Sequence, residues 1–216
     1  MANKKAVILL SGGLDSTTTL YYAKAKGYKC FCLLFDYGQR HKKELKAAVK
    51  LTRLNKCSYI IVKIALPWSK SALTDRKVKV PIKGKQIGKE IPVTYVPARN
   101  TIFLSFAASY AESIGAKKIF IGANALDYSG YPDCRPNYIK AYEKAVNLGT
   151  KSGVTGKKLS IETPLINLTK AKIIKLGLKL KVPYELTWSC YKGEKKPCGV
   201  CDSCVLREKG FKENNV

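Results

Sequence analysis

Six consecutive residues, Ser11-Gly12-Gly13-Leu14-Asp15-Ser16, carry the clearest chemistry in the chain. They follow an apolar run ending in Leu9 and Leu10, and they precede Thr17-Thr18-Thr19-Leu20-Tyr21-Tyr22-Ala23-Lys24, which reads as a helix. A buried strand, a sharp polar turn and a helix start form an anion site, because the free N–H groups and the positive dipole end of the helix face the turn. Two glycines without Cβ atoms leave room for a phosphate to approach the backbone. The pattern is neither G-x-x-x-x-G-K-[ST] nor G-x-G-x-x-G. Asp15 is an anion in a phosphate site, so it is expected to cap the helix or to hold Mg²⁺ through water.

A second constellation lies near the other end. Cys190-x7-Cys198-x2-Cys201-x2-Cys204 gathers four thiols in a stretch containing Gly193, Pro197 and Gly199. Cys-x2-Cys steps present sulfurs to one tetrahedral ion, and four protein ligands leave no open position, so the spacing predicts a structural Zn²⁺. The metal would fold a tail too poor in apolar residues to hold itself. All-cysteine ligation also suits an iron–sulfur cluster, which stays open as the rival. A redox Cys-x-x-Cys fits poorly, since three cysteines share the run. Cys30, Cys32, Cys57 and Cys134 are dispersed, and the first three read as small buried hydrophobes in or beside strands.

Positioning these groups requires an alternating α/β scaffold. Strands are predicted at residues 5–10, 29–35, 58–63, 118–121 and 158–163, with helices at 15–26, 42–54, 98–114, 137–147 and 170–180. The helix at 98–114 is apolar nearly all round and is expected to lie buried. Residues 66–97, with four prolines, form an irregular excursion or hairpin, of which the Lys- and Pro-rich stretch around 76–92 is expected to lie off the motif loops. This rhythm implies a doubly wound, mostly parallel sheet. We divide the chain into a nucleotide-binding α/β domain over 1–183 and a small zinc-binding C-terminal subdomain over 184–216 packed on it. Ligands collect beyond the carboxyl ends of the strands.

Forty Lys and Arg against 15 Asp and Glu give a net charge of +25. The basic residues are spread from Lys4 to Lys212 rather than gathered in one arm, so no dedicated nucleic-acid site is expected. The apolar run before the first turn is too short for a signal-peptide core, and no stretch approaches the ~20 apolar residues of a membrane span. A cytoplasmic protein without a membrane partner is expected; a homodimer is compatible with the sequence.

The six-residue turn resembles the SGGxDS loop of the ATP pyrophosphatase (PP-loop) superfamily, whose members cleave ATP to pyrophosphate and transfer AMP to a substrate oxygen. Further motifs narrow the resemblance. Asp36-Tyr37-Gly38-Gln39-Arg40-His41, Tyr95-Val96-Pro97-Ala98-Arg99-Asn100, Asp127 to Arg135 and the Cys198–Gly210 tail are similar to those of the 7-cyano-7-deazaguanine synthase family, essentially end to end. The resemblance implies a Rossmann-like fold of the adenine nucleotide alpha-hydrolase type. It also implies ATP with Mg²⁺, ammonia and 7-carboxy-7-deazaguanine as small-molecule partners, in the pathway to queuosine and archaeosine.

On this resemblance, Leu9, Leu10, Ser11, Gly12, Gly13, Leu14, Asp15, Ser16 and Thr17 belong to the nucleotide site. Arg40, Arg99, Arg135 and Lys170 are its candidate cations, since guanidinium forks match phosphate and carboxylate oxygens. Arg99, Lys170 and His41 are the candidate catalytic residues. His41, the only histidine, either deprotonates ammonium or caps the following helix. Asn100, Asp127, Tyr131, Asp133 and Arg135 complete the binding set, Asp127, Tyr131 and Asp133 suiting a purine-like base. Two other readings stay open here: a relative that stops at the amide or conjugates another amine, and a tRNA-thiolating enzyme.

Overall fold

The computed structural model describes residues 4–82, 91–126 and 130–216. Five parallel strands, β1 (Lys5–Leu9), β2 (Lys29–Asp36), β3 (Ser58–Lys63), β4 (Lys118–Ile121) and β5 (Ser160–Glu162), lie in the order β3-β2-β1-β4-β5. Successive side chains of a strand point to opposite faces, and both faces are covered. Val7 and Leu9 with Leu33 and Phe35 pack on α3 (Arg99–Ile114) and α4 (Pro136–Leu148). Ala6, Ile8 and Leu10 with Cys30, Cys32 and Leu34 pack on α1 (Leu14–Ala25) and α2 (Lys43–Leu54). The central strand is therefore apolar throughout its buried length, as a strand covered on two sides requires.

The strand order reverses between β1 and β4, and a crevice opens there at the carboxyl ends. The turn 11–13 and the segment 122–124 flank it. The sequence-predicted elements match to within two residues except at particular places. A short helix, α5 (Lys151–Val154), precedes β5, and α6 (Lys170–Lys179) follows it. The tail contains a helix that periodicity did not show, α7 (Asp202–Lys212), seated on α6 through Gly210 and Phe211. Its polar composition gave no amphipathic stripe, because it buries small and polar residues rather than large apolar ones. The expected full burial of α3 is corrected: Phe106, Ser105 and Ser109 are exposed, since only one side of that helix meets the sheet.

The threonine run 17–19 sits inside α1, an unfavourable composition for a helix. Each hydroxyl donates to the carbonyl four residues back: Thr17 to Gly13, Thr18 to Leu14 and Thr19 to Asp15, at 2.7, 2.9 and 3.0 Å. All three are thereby buried without an unmet donor.

Gly12 has a φ of +86°. A Cβ there would lie 2.3 Å from the Glu44 carbonyl oxygen and 2.5 Å from the Ala48 nitrogen. This corrects the expectation that both turn glycines exist for phosphate approach. Gly12 admits the backbone of α2, and Gly13 alone faces the crevice. Gly27, with φ +79°, has nothing within 4 Å of such a Cβ and serves as a control. Alanine at Gly27 should lower stability by about 1–2 kcal/mol, the left-handed penalty. Alanine at Gly12 should add roughly 1–3 kcal/mol for overpacking. Equal midpoint shifts of the two variants in urea denaturation would refute this assignment.

Candidate active site

The turn after β1 organises itself before any ligand arrives. The Gly13 N–H donates to Ser11 Oγ at 3.2 Å, and the Ser11 N–H donates to Ser16 Oγ at 3.2 Å. The two serine hydroxyls share a bond of 3.0 Å. The first-turn N–H groups of α1 have no acceptor within the helix, and they open onto a cavity of about 240 Å³. Leu9, Leu10, Ser11, Gly13, Leu14, Asp15 and Ser16 line it. Gly12 and Thr17 lie behind the wall, the first against α2 and the second in the interior.

Lys170, at the start of α6, reaches back across the cavity mouth to α1. Its Nζ donates to both oxygens of Asp15, at 2.7 and 2.8 Å, with the lysine side chain 8% and the carboxylate 22% exposed. Asp15 thus neither caps α1, whose N-cap is Gly13, nor stands alone. Thr169 caps α6 instead, accepting from the Lys172 N–H.

Arg99 is the first residue of α3 and enters the cavity from the opposite side. Burial opposes its charge, but Tyr37, Tyr131 and Asp133 around it more than offset that and hold the guanidinium protonated. It donates to Tyr37 Oη at 3.3 Å. The start of α3 is capped from a distance: the Asn100 N–H donates to Asp133 Oδ2 at 3.0 Å. Asn100 Nδ2 donates to the Asp133 carbonyl, and Tyr131 Oη meets Thr94 Oγ1 at 2.6 Å.

Asn100 and Tyr131 line the cavity, whereas Asp133 does not. Its buried carboxyl serves the helix end, so the expectation that it faces the base is corrected. Arg135 is corrected likewise: it precedes α4, is exposed and lies outside the wall. Asp127 lies outside the described residues.

Arg40 and His41 both line the cavity, but each is already bound. Arg40 donates to the carbonyls of Asp75 and Val78, at 2.8 and 2.6 Å. His41 Nε2 lies 2.9 Å from the Cys190 carbonyl, which accepts its proton and leaves Nδ1 as a buried atom without a hydrogen-bond partner among the described residues. Burial lowers its basicity. Its role as a helix cap is not what the structure shows, since Lys42 holds that position without a side-chain bond. Of the excursion 66–97, Leu73 lies in the wall, and Ala72 and Val80 pack beside the cysteines.

The four cysteines of the tail converge, their sulfurs all within 4.8 Å of one another. Cys198 and Cys204 are 4.0 Å apart, against about 3.8 Å for a tetrahedral ion with metal–sulfur bonds near 2.3 Å. Backbone N–H groups of Cys198 and Cys201 donate to the sulfurs of Cys190 and Cys198, both at 3.4 Å. The Cys204 thiol holds Cys201 down to about 5, a thiolate ready for a cation. The donor set fits one soft or borderline metal ion.

This centre adjoins the cavity. Ser189 and Tyr191 flank Cys190, Ser203 precedes Cys204, and all three line the wall with Arg207. Arg207 of α7 donates to Thr187 Oγ1 at 2.7 Å and to the Tyr184 carbonyl at 2.8 Å. Asn124 stands in a loop that the sequence already places at this end of the sheet, whereas sequence reasoning does not single out Glu44 and Arg207 as wall residues, each being one charged side chain on a lysine-rich or cysteine-bearing helix.

Comparison with known proteins places this geometry. The family model described as "Queuosine biosynthesis protein QueC" matches residues 5–215. A 7-cyano-7-deazaguanine synthase of Thermoplasma volcanium is 60% identical over 97% of this chain and 87% of its own length. One of Acetivibrio thermocellus is 59% identical, covering 99% and 95%. Among solved structures, an NMN synthetase from Francisella tularensis superposes with a TM-score of 0.53 at 16% identity, over 99% of this chain and 78% of that one. A 4-thiouridine synthetase, solved with RNA and ATP, gives 0.51 at 20%, over 97% and 53%. These two likenesses concern the fold alone.

Because the cysteine loop forms part of the wall, stripping its metal should loosen the cavity as well as the tail. Calorimetric titration with pyrophosphate before and after chelation should show binding weaker by about tenfold, equivalent to ~1.4 kcal/mol of lost preorganisation. Unchanged affinity in the metal-free, folded protein would separate the two sites.

Proposed function

The chain belongs to the QueC family of queuosine biosynthesis proteins, and from that premise we propose how its cavity performs the reaction of a 7-cyano-7-deazaguanine synthase. The observation that carries the reading is that the SGGLDS turn, Arg99 and Lys170 line one cavity at the strand-order reversal. One phosphate-binding turn serves both activations, so they occur in sequence at the same place.

ATP enters with its β- and γ-phosphates on the first-turn N–H groups of α1, where the helix end favours negative charge. Mg²⁺ accompanies the nucleotide, and Asp15 is the carboxylate within reach of it. A carboxylate oxygen of 7-carboxy-7-deazaguanine attacks the α-phosphorus. An O–P bond forms, the bond to the β-phosphate oxygen breaks, and pyrophosphate leaves. Arg99 and Lys170 stabilise the charge that builds on the phosphates, a role of position and electrostatics. Ammonia then displaces AMP from the acyl-adenylate to give the amide. Activation of the amide oxygen by a second ATP permits loss of AMP and of the nitrogen-bound protons, leaving the nitrile.

Tyr37, Tyr131 and Asn124 offer aromatic faces and an amide on the wall toward the deazaguanine. Asn124 Nδ2 already donates to the carbonyls of Leu165 and Leu168, at 3.0 and 2.5 Å, which fixes its oxygen in place. We assign Zn²⁺ to Cys190, Cys198, Cys201 and Cys204, where it ties the tail together and supplies no reacting atom. No helix among the described residues is long and apolar enough to cross a membrane, which supports a cytoplasmic enzyme.

Incubation with 7-carboxy-7-deazaguanine, ATP, Mg²⁺ and ammonium should yield nitrile, AMP and pyrophosphate by mass analysis. ADP and phosphate as first products would refute the reading. The amide with ATP and no ammonium should also give nitrile; an inert amide would mark an amide-stopping enzyme. Arg99→Ala should slow both the acid and the amide reactions, by about 10²–10³-fold, because the phosphates are common to both. Metal analysis should find zinc near one equivalent, and iron with labile sulfide would overturn that assignment.

A further inference from the structure

On the reading of function above, we propose that Glu44 is the general base of nitrogen addition, taking a proton from ammonium inside the cavity. Glu44 stands in the first turn of α2 and lines the cavity. It is placed there by the close approach of its own carbonyl to Gly12.

Several other ionisable side chains facing this space are already engaged, His41 through Nε2 alone, its Nδ1 remaining buried. Asp15 is paired with Lys170, Arg40 with two carbonyls, His41 with the Cys190 carbonyl, and Arg207 with the 184–189 segment. Tyr37 Oη accepts from Arg99. The Glu44 carboxyl has no hydrogen-bond partner among the described residues. Its neighbours are Tyr37, at the end of β2, and Arg99, from α3.

A carboxyl in that position has the chemistry the step needs. Burial raises it to about 7, with Arg99 partly opposing, so near neutral pH it both accepts a proton and releases it again. As a carboxylate it attracts ammonium into a wall otherwise dominated by cations. One proton passes from ammonium to the Glu44 oxygen. The freed nitrogen lone pair forms the C–N bond, the C–O bond to the adenylate breaks, and its electron pair leaves with AMP. Glu44 gives its proton to water and receives the second proton from the new amide nitrogen.

The test separates activation from nitrogen addition in Glu44→Gln. Exchange of labelled pyrophosphate into ATP, driven by 7-carboxy-7-deazaguanine without ammonium, involves no nitrogen and should persist. Amide formation from ammonium at pH 7 should fall by about 10²–10⁴-fold, the usual contribution of a general base. Hydroxylamine, neutral at that pH, needs no deprotonation before attack and should restore hydroxamate formation in the variant. The wild-type rate should rise with pH and level off above about 7. The variant should instead climb about tenfold per pH unit with free ammonia.

If Glu44→Gln does not fold, Glu44→Asp keeps a carboxyl and should show the same split with a smaller loss. Exchange and amide formation falling together in a folded variant would overturn the proposal, as would full ammonium-dependent activity at pH 7. Absence of exchange in the wild-type protein would instead overturn the reading of function on which it rests.

Discussion

Gly12 joins three parts of the chain through backbone alone. Its Cα lies against the Glu44 and Ala48 backbone of α2, and its carbonyl accepts the Trp188 N–H at 2.9 Å. The turn that precedes α1, the helix that follows β2 and the cysteine-bearing tail are thus held at one point. The left-handed φ allows the carbonyl to face the tail while the next residue begins the approach to α1. From this junction the N–H groups of α1 face the crevice, Glu44 faces it from α2, and the 189–191 segment closes it. A fold of this type positions its site at the strand-order reversal in any case; the junction determines which side chains meet there.

The electrostatics of the cavity are more selective than a chain of +25 suggests. Of the cations on the wall, Lys170 is matched by Asp15, and Arg40 and Arg207 are held by carbonyls and hydroxyls. Arg99 sits among tyrosines, its charge sustained by them and by Asp133. Fixed cations require no reorganisation when a polyanion arrives, which is the property that makes them effective toward a developing charge. The surface lysines, screened by water and salt, do not share it.

The four-cysteine cluster and the cavity share a wall. His41 is bound to the carbonyl of Cys190, Lys43 lies 4.3 Å over the Trp188 ring, and the 66–82 segment bridges to Cys201 through Ile82. The tail packs on the α/β unit: α7 covers α6, and its Arg207 reaches the same space as Lys170.

Local pattern was enough to identify the strands, five of the helices, the strand–glycine–helix turn and the four clustered cysteines. Each of these is written in contiguous residues: a period of two or of 3.6, a strand–glycine–helix sequence, a cysteine spacing. Motif resemblance brought Arg99, Asn100, Tyr131 and Lys170 to the site for the same reason. Tertiary packing alone decided the rest. Asp133, which chemistry made a base-reading residue, caps α3 because that helix start comes within 3.0 Å of it across 33 residues of chain. Gly12 answers to α2, which no neighbouring residue in sequence announces. Glu44, one acid in a lysine-rich helix, becomes the cavity's uncommitted carboxyl only through its surroundings. Burial and partnership are relations between distant segments, so a linear pattern of residue types carries the element but not the role.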